Sequence, residues 1–321
     1  MDKVCVTGAA GFIGGHLCEA LLEQGFEVVG LDDFSSGRRE NAALLARYPR
    51  FSLIEGSIAD PAAVARAVLG ARSVFHLAAI PSVPISMAEP ERTTAVNVSG
   101  TVTVLEAARR AGVSRVVLAC SCAAYGDGPE QPKHEGLRPR PGSPYAMQKI
   151  ACELAAQTYT AAYGLPCVAL RFFNVFGPRQ DPKSDYAAAI PKFATRLLAG
   201  EPPTVFGDGL QTRDFVHVSD VVRALLLAVD AKEAQGEVIN VASGRSVTLL
   251  ELIEELRRAV GGRAQEIAIQ HAPPRAGDLR ASAADLSRAR ALLGYAPRVT
   301  LAEGLAGLVK AMRAESRAAG I

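Results

Sequence analysis

Lys3-Val4-Cys5-Val6-Thr7-Gly8-Ala9-Ala10-Gly11-Phe12-Ile13-Gly14-Gly15-His16-Leu17 is the stretch that decides the fold. An apolar run ends at Thr7, glycines follow at Gly8, Gly11 and Gly14, and a helical apolar pattern opens at Phe12. Strand, tight turn and helix in that order make a cradle for phosphate. Glycine lets the backbone turn sharply and approach a pyrophosphate, and the helix N-terminus supplies N–H groups and positive dipole potential. Glycines alone also serve ordinary turns, but here the flanks fit on both sides. The next apolar run, Glu27–Asp32, ends in an acid at about the spacing from Gly14 expected of a ribose-binding carboxylate. Asp32 would accept hydrogen bonds from ribose hydroxyls and repel a 2′-phosphate, which predicts NAD rather than NADP. Arg38 and Arg39 stand nearby and are read as part of a solvated loop.

Outward from this segment, strand-like runs recur at Phe51–Glu55, Ser73–His76, Arg115–Ala119 and Pro166–Arg171. Helical patterns alternate with them at Phe12–Glu23, Ala62–Leu69, Thr94–Ala111 and Tyr145–Tyr163. The strands are near-continuous Val, Leu and Ile runs, as strands covered on both faces should be, so the alternation predicts a doubly wound parallel sheet. The second half is less regular. Arg179–Tyr186, Gly200–Asp208 and His271–Gly277 read as loops between helices at Ile190–Ala199, Val218–Val229, Leu249–Val260 and Leu301–Ala314. The expected architecture is α/β. A nucleotide-binding sheet domain spans 1–177, with a return at about 215–245, and a smaller mixed α/β lobe is built from 178–214 and 246–321. The cleft between them is the expected site.

A chain of 321 residues, 49% hydrophobic, suits one large α/β unit or two unequal lobes. The formal net charge of +2, without blocks of like charge, argues against nucleic acid or a membrane surface as partner. No signal peptide and no bilayer-spanning stretch is read, so a cytoplasmic location is expected. Cys5, Cys18, Cys120, Cys122, Cys152 and Cys167 form no C-x-x-C pair and read as reduced, mostly buried thiols. The five histidines, including His76 and His217 in strand-like runs, lack ligand spacing, and no metal is expected.

Tyr145-Ala146-Met147-Gln148-Lys149 places a tyrosine and a lysine four apart, on one helix face. A nearby ammonium favours phenolate and lowers the tyrosine pKa, as would the positive charge of an oxidised nicotinamide, giving a general base usable near neutrality. The spacing alone is common on solvated helices. Ser121, at the end of a strand in Ala119-Cys120-Ser121-Cys122-Ala123-Ala124-Tyr125-Gly126, raises its weight.

With these residues together, the chain resembles the extended short-chain dehydrogenase/reductase superfamily, with its Rossmann-type sheet, and within it the nucleotide-sugar 4-epimerases. The likeness runs through Asp32-Asp33-Phe34-Ser35-Ser36-Gly37, His76-Leu77-Ala78-Ala79, Asn97-Val98-Ser99-Gly100-Thr101 and Arg171-Phe172-Phe173-Asn174-Val175-Phe176-Gly177-Pro178-Arg179. It continues through Gly207-Asp208-Gly209, Thr212-Arg213-Asp214-Phe215 and Arg275-Ala276-Gly277-Asp278. The resemblance implies that Tyr145 takes the proton of the sugar 4-hydroxyl, Ser121 bonds the same oxygen, and Lys149 holds the nicotinamide ribose. Hydride leaves C4, and the 4-keto sugar turns about its diphosphate and takes hydride back on its other face. NAD contacts are implied at Gly8, Gly11, Phe12, Ile13, Gly14, Asp32, Asp33, Phe34, Ser35, Ser36 and Gly37. Further ones are implied at Ser57, Ile58, Leu77, Ala78, Ala79, Asn97, Phe172 and Val175. For a UDP-sugar, the resemblance implies Asn174, Arg213 and Arg275 on the diphosphate, where the arginine fork suits phosphate oxygens. It implies Thr204, Val205 and Phe206 beside uracil, Asp278 on a ribose, and Ser82, Val83, Ala188 and Ala189 lining the cleft.

Departures narrow the reaction. Related dehydratases resemble one another in a Thr-Asp-Glu triplet where this chain has Ser121-Cys122-Ala123, and related decarboxylases carry a glutamate where Ala123 and Ala124 stand. The missing carboxylates point to chemistry that begins and ends with hydride transfer. Ser282 is small at a position where a tyrosine would exclude an acetamido group. Together with Arg179-Gln180-Asp181-Pro182 and Tyr186–Lys192 it implies use of both UDP-glucose/galactose and UDP-GlcNAc/GalNAc. A UDP-glucuronate 4-epimerase, a net dehydrogenase or reductase, and a non-catalytic NAD-sensing protein remain open alternatives. The helices at Thr94–Ala111 and Tyr145–Tyr163 correspond to those through which relatives pair, so a homodimer is expected; Val102, Leu105, Ile150, Leu154 and Tyr159 could equally be internal core.

Overall fold

The computed structural model describes residues 2–181, 189–274 and 280–318. Its strands are β1 (Lys3–Thr7), β2 (Glu27–Asp32), β3 (Phe51–Glu55), β4 (Ser73–His76), β5 (Arg115–Ser121), β6 (Cys167–Phe172), β7 (Asn174–Phe176), β8 (Thr204–Phe206), β9 (Thr212–His217), β10 (Val238–Val241), β11 (Ser246–Thr248) and β12 (Gln270–Ala272). Its helices are α1 (Phe12–Glu23), α2 (Arg39–Leu45), α3 (Pro61–Val68), α4 (Val83–Ala88), α5 (Pro90–Thr94), α6 (Gly100–Arg110), α7 (Pro144–Tyr163), α8 (Ala189–Leu198), α9 (Val218–Asp230), α10 (Leu249–Val260), α11 (Ser287–Leu293) and α12 (Leu301–Ala318).

Seven strands form one parallel sheet in the order β10-β6-β5-β4-β1-β2-β3. The order runs outward in opposite directions from β1 and β4, so their C-terminal ends flank the crevice in which doubly wound sheets bind ligands. One apolar cluster, including Leu17, Phe75 and Leu225, covers one face, and another, including Val64, Leu105 and Cys152, covers the other. A third core, with Phe176, Phe193 and Leu252, lies under a three-stranded sheet, β11-β9-β7, and the β12-β8 pair.

Local chemistry explains the ends that matter. Helix α7 begins at Ser143, whose hydroxyl accepts the Ala146 N–H, followed by Pro144. It stops at Gly164, at φ +65°. Thr248 and Glu251 form a reciprocal capping box at the start of α10.

Several expectations are corrected. Thr94–Ala111 is helical throughout, as expected, but it continues back to Pro90 and contains a π-helical turn at Ala95–Ser99 between α5 and α6. Arg39 does not sit in a loop but begins α2, with Arg38 before it. The expected loop Gly200–Asp208 contains β8, and β12 enters the start of His271–Gly277. The remainder of that segment from 275, and 182–188, lie outside the described residues.

Candidate active site

Gly8 and Gly14 define the cradle. Gly8 has φ +73°, and a Cβ there would stand 2.8 Å from the Ala78 nitrogen. A Cβ on Gly14 would stand 1.9 Å from the Gly8 carbonyl oxygen. Only bare backbone allows this turn to close against the end of β4. Gly11 precedes Phe12 and Ile13 as the N-cap of α1, and it has no side chain to occupy the N–H groups of the first turn. Leu77 and Ala78 donate their N–H groups to the Thr7 hydroxyl, which ties the two crevice loops together.

Beside the cradle lies a hollow lined among others by Gly8, Asp32, Asp33, Ser35, Ser36, Ile58, Ala78 and Ala79. Asp32 is buried and accepts N–H groups from Ala10 and Phe34, one on each oxygen, at 2.9 and 2.8 Å. Burial pushes its carboxyl pKa up against the pull of those donors. Gly37 must be bare, because a Cβ would lie 2.5 Å from Asp32 Oδ1. Phe34 takes φ +57°, with the Arg39 guanidinium 4.1 Å above its ring. Arg39 is also paired with Glu55 at 2.8 Å. Ser57 accepts the Ala59 N–H. These residues fit an adenosine ribose and a pyrophosphate, and the cradle has the shape that a dinucleotide requires.

The catalytic candidates converge at the C-terminal end of β5. Lys149, on α7 and buried, donates from Nζ to the Ala119 carbonyl at 2.8 Å and stands 5.9 Å from the centre of the Tyr145 ring. Ser121 accepts the Ala123 N–H at 3.2 Å, and its hydroxyl is placed to favour the Tyr145 phenolate. Burial raises the Tyr145 pKa, while Lys149 and Ser121 pull it down; the net direction is upward. The ammonium acts in the expected sense, and burial opposes it. Burial also opposes the Lys149 charge, yet Tyr145, Cys152, Cys120 and Glu153 overcome it and the lysine pKa rises.

The substrate-side candidates are more dispersed. Asn174 donates to the Asp214 carbonyl at 3.0 Å, and Arg213 sits on the adjoining strand, bonded to the Thr212 carbonyl. Asp214 is fully buried and accepts from Ser243, Gly244 and Ala284. Ser282 is buried near it, and its carbonyl accepts the Ser246 hydroxyl at 2.7 Å. Ser82 caps α4 by accepting the Ile85 N–H, and Val83 is exposed. Ala189 opens α8, and Thr204 and Phe206 are half-buried. Val205 is fully buried in the third core, so it offers a ligand backbone only. Phe172 is buried beside Ser121 in the strand register, and the Val175 carbonyl accepts from Gln180. Ala188, Arg275 and Asp278 lie outside the described residues.

Sequence reasoning missed the supports. Ser86 accepts the Tyr145 N–H at 3.0 Å. Gln148 donates to Thr93 and Thr94 and accepts from Asn97, whose amide also exchanges bonds with Ile80. The signal was present for Gln148 and Glu153: polar residues on the inward face of a helix already marked by Tyr145 and Lys149. Among the described residues no group of three or more His, Cys, Asp or Glu side chains could hold a metal, and no helix is long and apolar enough to cross a membrane.

Fold and cradle together define a dinucleotide-dependent enzyme, with Ser121, Tyr145 and Lys149 as its candidate centre. Residues 4–242 match the NAD dependent epimerase/dehydratase family, and the chain belongs to it. A UDP-glucose 4-epimerase of Mycolicibacterium smegmatis is 42% identical over 98% of this chain and 100% of its own length. The solved UDP-N-acetylglucosamine 4-epimerase of Methanobrevibacter ruminantium M1, in complex with UDP-N-acetylmuramic acid, superposes with TM-score 0.93 at 37% identity, covering 98% of this chain and 99% of that one. The UDP-glucuronic acid 4-epimerase of Bacillus cereus, in complex with UDP-glucuronic acid and NAD, gives 0.90 at 32% identity over 98% and 99%. The chain thus groups with the NAD-dependent UDP-sugar 4-epimerases, which are isomerases, and its cofactor is NAD.

Proposed function

We propose that this protein interconverts UDP-hexoses at C4 and accepts both the UDP-glucose/galactose and the UDP-GlcNAc/GalNAc pairs. The observation that carries the reading is the convergence of Ser121, Tyr145 and Lys149 beside the cradle, with Cys122, Ala123 and Ala124 where elimination chemistry would need carboxylates. Tyr145 receives the proton of the sugar 4-hydroxyl and later returns it. Ser121 has its oxygen engaged by the Ala123 N–H and keeps its own proton for the sugar oxygen. Lys149 spends one N–H on Ala119 and keeps the others for the nicotinamide ribose. Bound NAD supplies the acceptor for the C4 hydride and its donor on return. Asn174, Arg213 and Arg275 hold the diphosphate, with Thr204, Phe206 and Asp278 on the uridine side, so that the sugar alone turns. The lobe of 178–214 and 246–321 grips the UDP, while the sheet domain holds NAD.

The small, buried Ser282 supports entry of an acetamido group. A homodimer through α6 and α7 is supported by exposed Val102 and Leu154; Leu105 is fully buried core of the protomer itself. A cytoplasmic location is supported by six free cysteines. The test is incubation with UDP-glucose, UDP-GlcNAc and UDP-glucuronate separately, following anomeric protons by NMR. The expected result is the 4-epimer from the first two, without net NADH. Turnover of UDP-glucuronate alone moves the substrate class to uronates. Net NADH, or no turnover with NAD bound, refutes epimerisation.

A further inference from the structure

We infer that Glu153 and Arg171 are positioning residues: their buried, mutually neutral pair clamps the catalytic helix to the sheet and leaves the field at Tyr145 to Lys149 alone. The inference rests on Tyr145 as the acid–base group. Glu153 lies one helical turn beyond Lys149, as Lys149 lies one turn beyond Tyr145, and this face of α7 meets the sheet. Arg171 stands in β6 opposite Cys120 of β5, next to the partner of Ser121. The two side chains join through parallel bonds, Nε to Oε1 at 2.8 Å and Nη2 to Oε2 at 2.7 Å, and each is 4% exposed. The guanidinium carbon lies 4.6 Å from the centre of the Tyr125 ring, and the Tyr125 hydroxyl donates to Asn240 at 2.7 Å. A planar fork of this kind has one register, so α7 cannot slide along the sheet without breaking it. That register sets Lys149 on the Ala119 carbonyl and Tyr145 against Ser121.

Geometry alone does not call for charge here, because apolar residues often replace a buried ion pair at no loss of stability. The charges matter because Glu153 faces Lys149, and either charge left without its partner would reach the phenol along the same face. Facing Tyr145 and Lys149 are Cys152 and Glu153 from α7, Cys120 from β5 and Cys122 from the turn after β5, with His76 of β4 facing Lys149. Arg171 of β6 faces Cys120 and Tyr125 and is paired with Glu153. Asp214 and Arg213 approach Cys122 from β9. Burial holds the Cys120 thiol up, raises Cys122 to about 12 and lowers His76 to about 3, so these stay neutral. Lys149 is then the charged group that acts on Tyr145 directly, while Glu153 is held against Arg171 in the neutral pair.

The experiment is the pH dependence of kcat/KM for the UDP-sugar that turns over, with bound NAD quantified in each variant. E153Q leaves Arg171 positive and unpaired, which favours phenolate; the acid limb moves down by about one pH unit, for a charge roughly 10 Å away at an effective dielectric constant of about 20. R171M leaves Glu153 negative and moves the limb up by about as much. The double variant E153Q/R171M carries neither charge and returns the limb to its wild-type position, whatever its rate. E153D, which keeps the charge and shortens the clamp, lowers kcat with the limb unmoved, and it serves where a neutralised variant does not fold. Limbs that stay put in E153Q and R171M, or an E153D limb displaced like that of E153Q, overturn the proposal while Tyr145→Phe remains inactive. An active Tyr145→Phe removes the underlying reading instead.

Discussion

Replacing Lys149 with methionine removes one positive charge and keeps most of the stem's bulk. The ammonium stands 5.9 Å from the centre of the Tyr145 ring. At an effective dielectric constant of about 20, unit charges about 6 Å apart interact by roughly 2.8 kcal/mol, or about two pH units of acidity. The sign follows from the base form. Lys149 stabilises phenolate, so without it the phenol holds its proton to higher pH and less base exists at any pH below its pKa. Burial already raises the Tyr145 pKa in the wild-type chain, and the variant loses the positive charge that opposes it most. The acid limb of kcat/KM is expected to rise by about two pH units, and the rate below both limbs to fall roughly a hundredfold. The assay is the pH profile of epimerisation, paired with single-turnover appearance of bound NADH at 340 nm. Lys149→Arg keeps the charge and should keep the limb while losing rate through misplacement. A Lys149→Met limb that coincides with wild type, with NAD still bound, refutes the claim that this lysine sets the acidity of the tyrosine.

Gly14→Ala should abolish NAD binding, because its Cβ would lie 1.9 Å from the Gly8 carbonyl oxygen, and the clash is with backbone that cannot rotate away. Calorimetric titration with NAD checks it; wild-type affinity would mean that the turn is not the cradle. Asp214→Ala strips the acceptor from three backbone N–H groups and the Ser243 hydroxyl, all converging on a fully buried carboxylate. At about 1–3 kcal/mol for each orphaned buried group, a loss of roughly 4 kcal/mol or more is expected. Thermal denaturation should show a drop of several degrees, and a melting temperature within a degree of wild type contradicts the accounting.

What was legible in the sequence was local. The glycine turn, Asp32 and the Tyr145–Lys149 spacing each lie within one element or one connection, where period and turn chemistry act directly. Strands β7, β8, β11 and β12 have three residues each, too few for an alternation to register. The π-helical turn at Ala95–Ser99 escaped because a single wide turn does not interrupt an apolar period read over eighteen positions. It is fixed by distant partners: the Asn97 amide bonds Ile80 and Gln148, and its carbonyl accepts from Thr101 and Cys152. Arg39 looked like loop because its partners, Glu55 and the Phe34 ring, are invisible to a local reading.

The weight of burial on Tyr145 was illegible for the same reason, and more consequentially. Spacing on a helix reveals that Lys149 is near; it does not reveal how much protein has closed over the phenol, which depends on β5, the turn at Cys122–Tyr125 and α4. Burial and the lysine act oppositely, and in the chain by itself burial wins. A base that operates near neutral pH therefore needs a second source of positive potential at the phenol. An oxidised nicotinamide carries a positive charge, and Lys149 has N–H groups left to hold its ribose close to Tyr145. The tyrosine would then be most acidic while a hydride acceptor is present and less acidic once the hydride has been taken up, when the phenol must give its proton back. Titration of the phenol by ultraviolet difference between wild type and Tyr145→Phe should accordingly show a lower pKa with bound NAD than with bound NADH. Equal values in the two states would place the needed potential elsewhere in the protein.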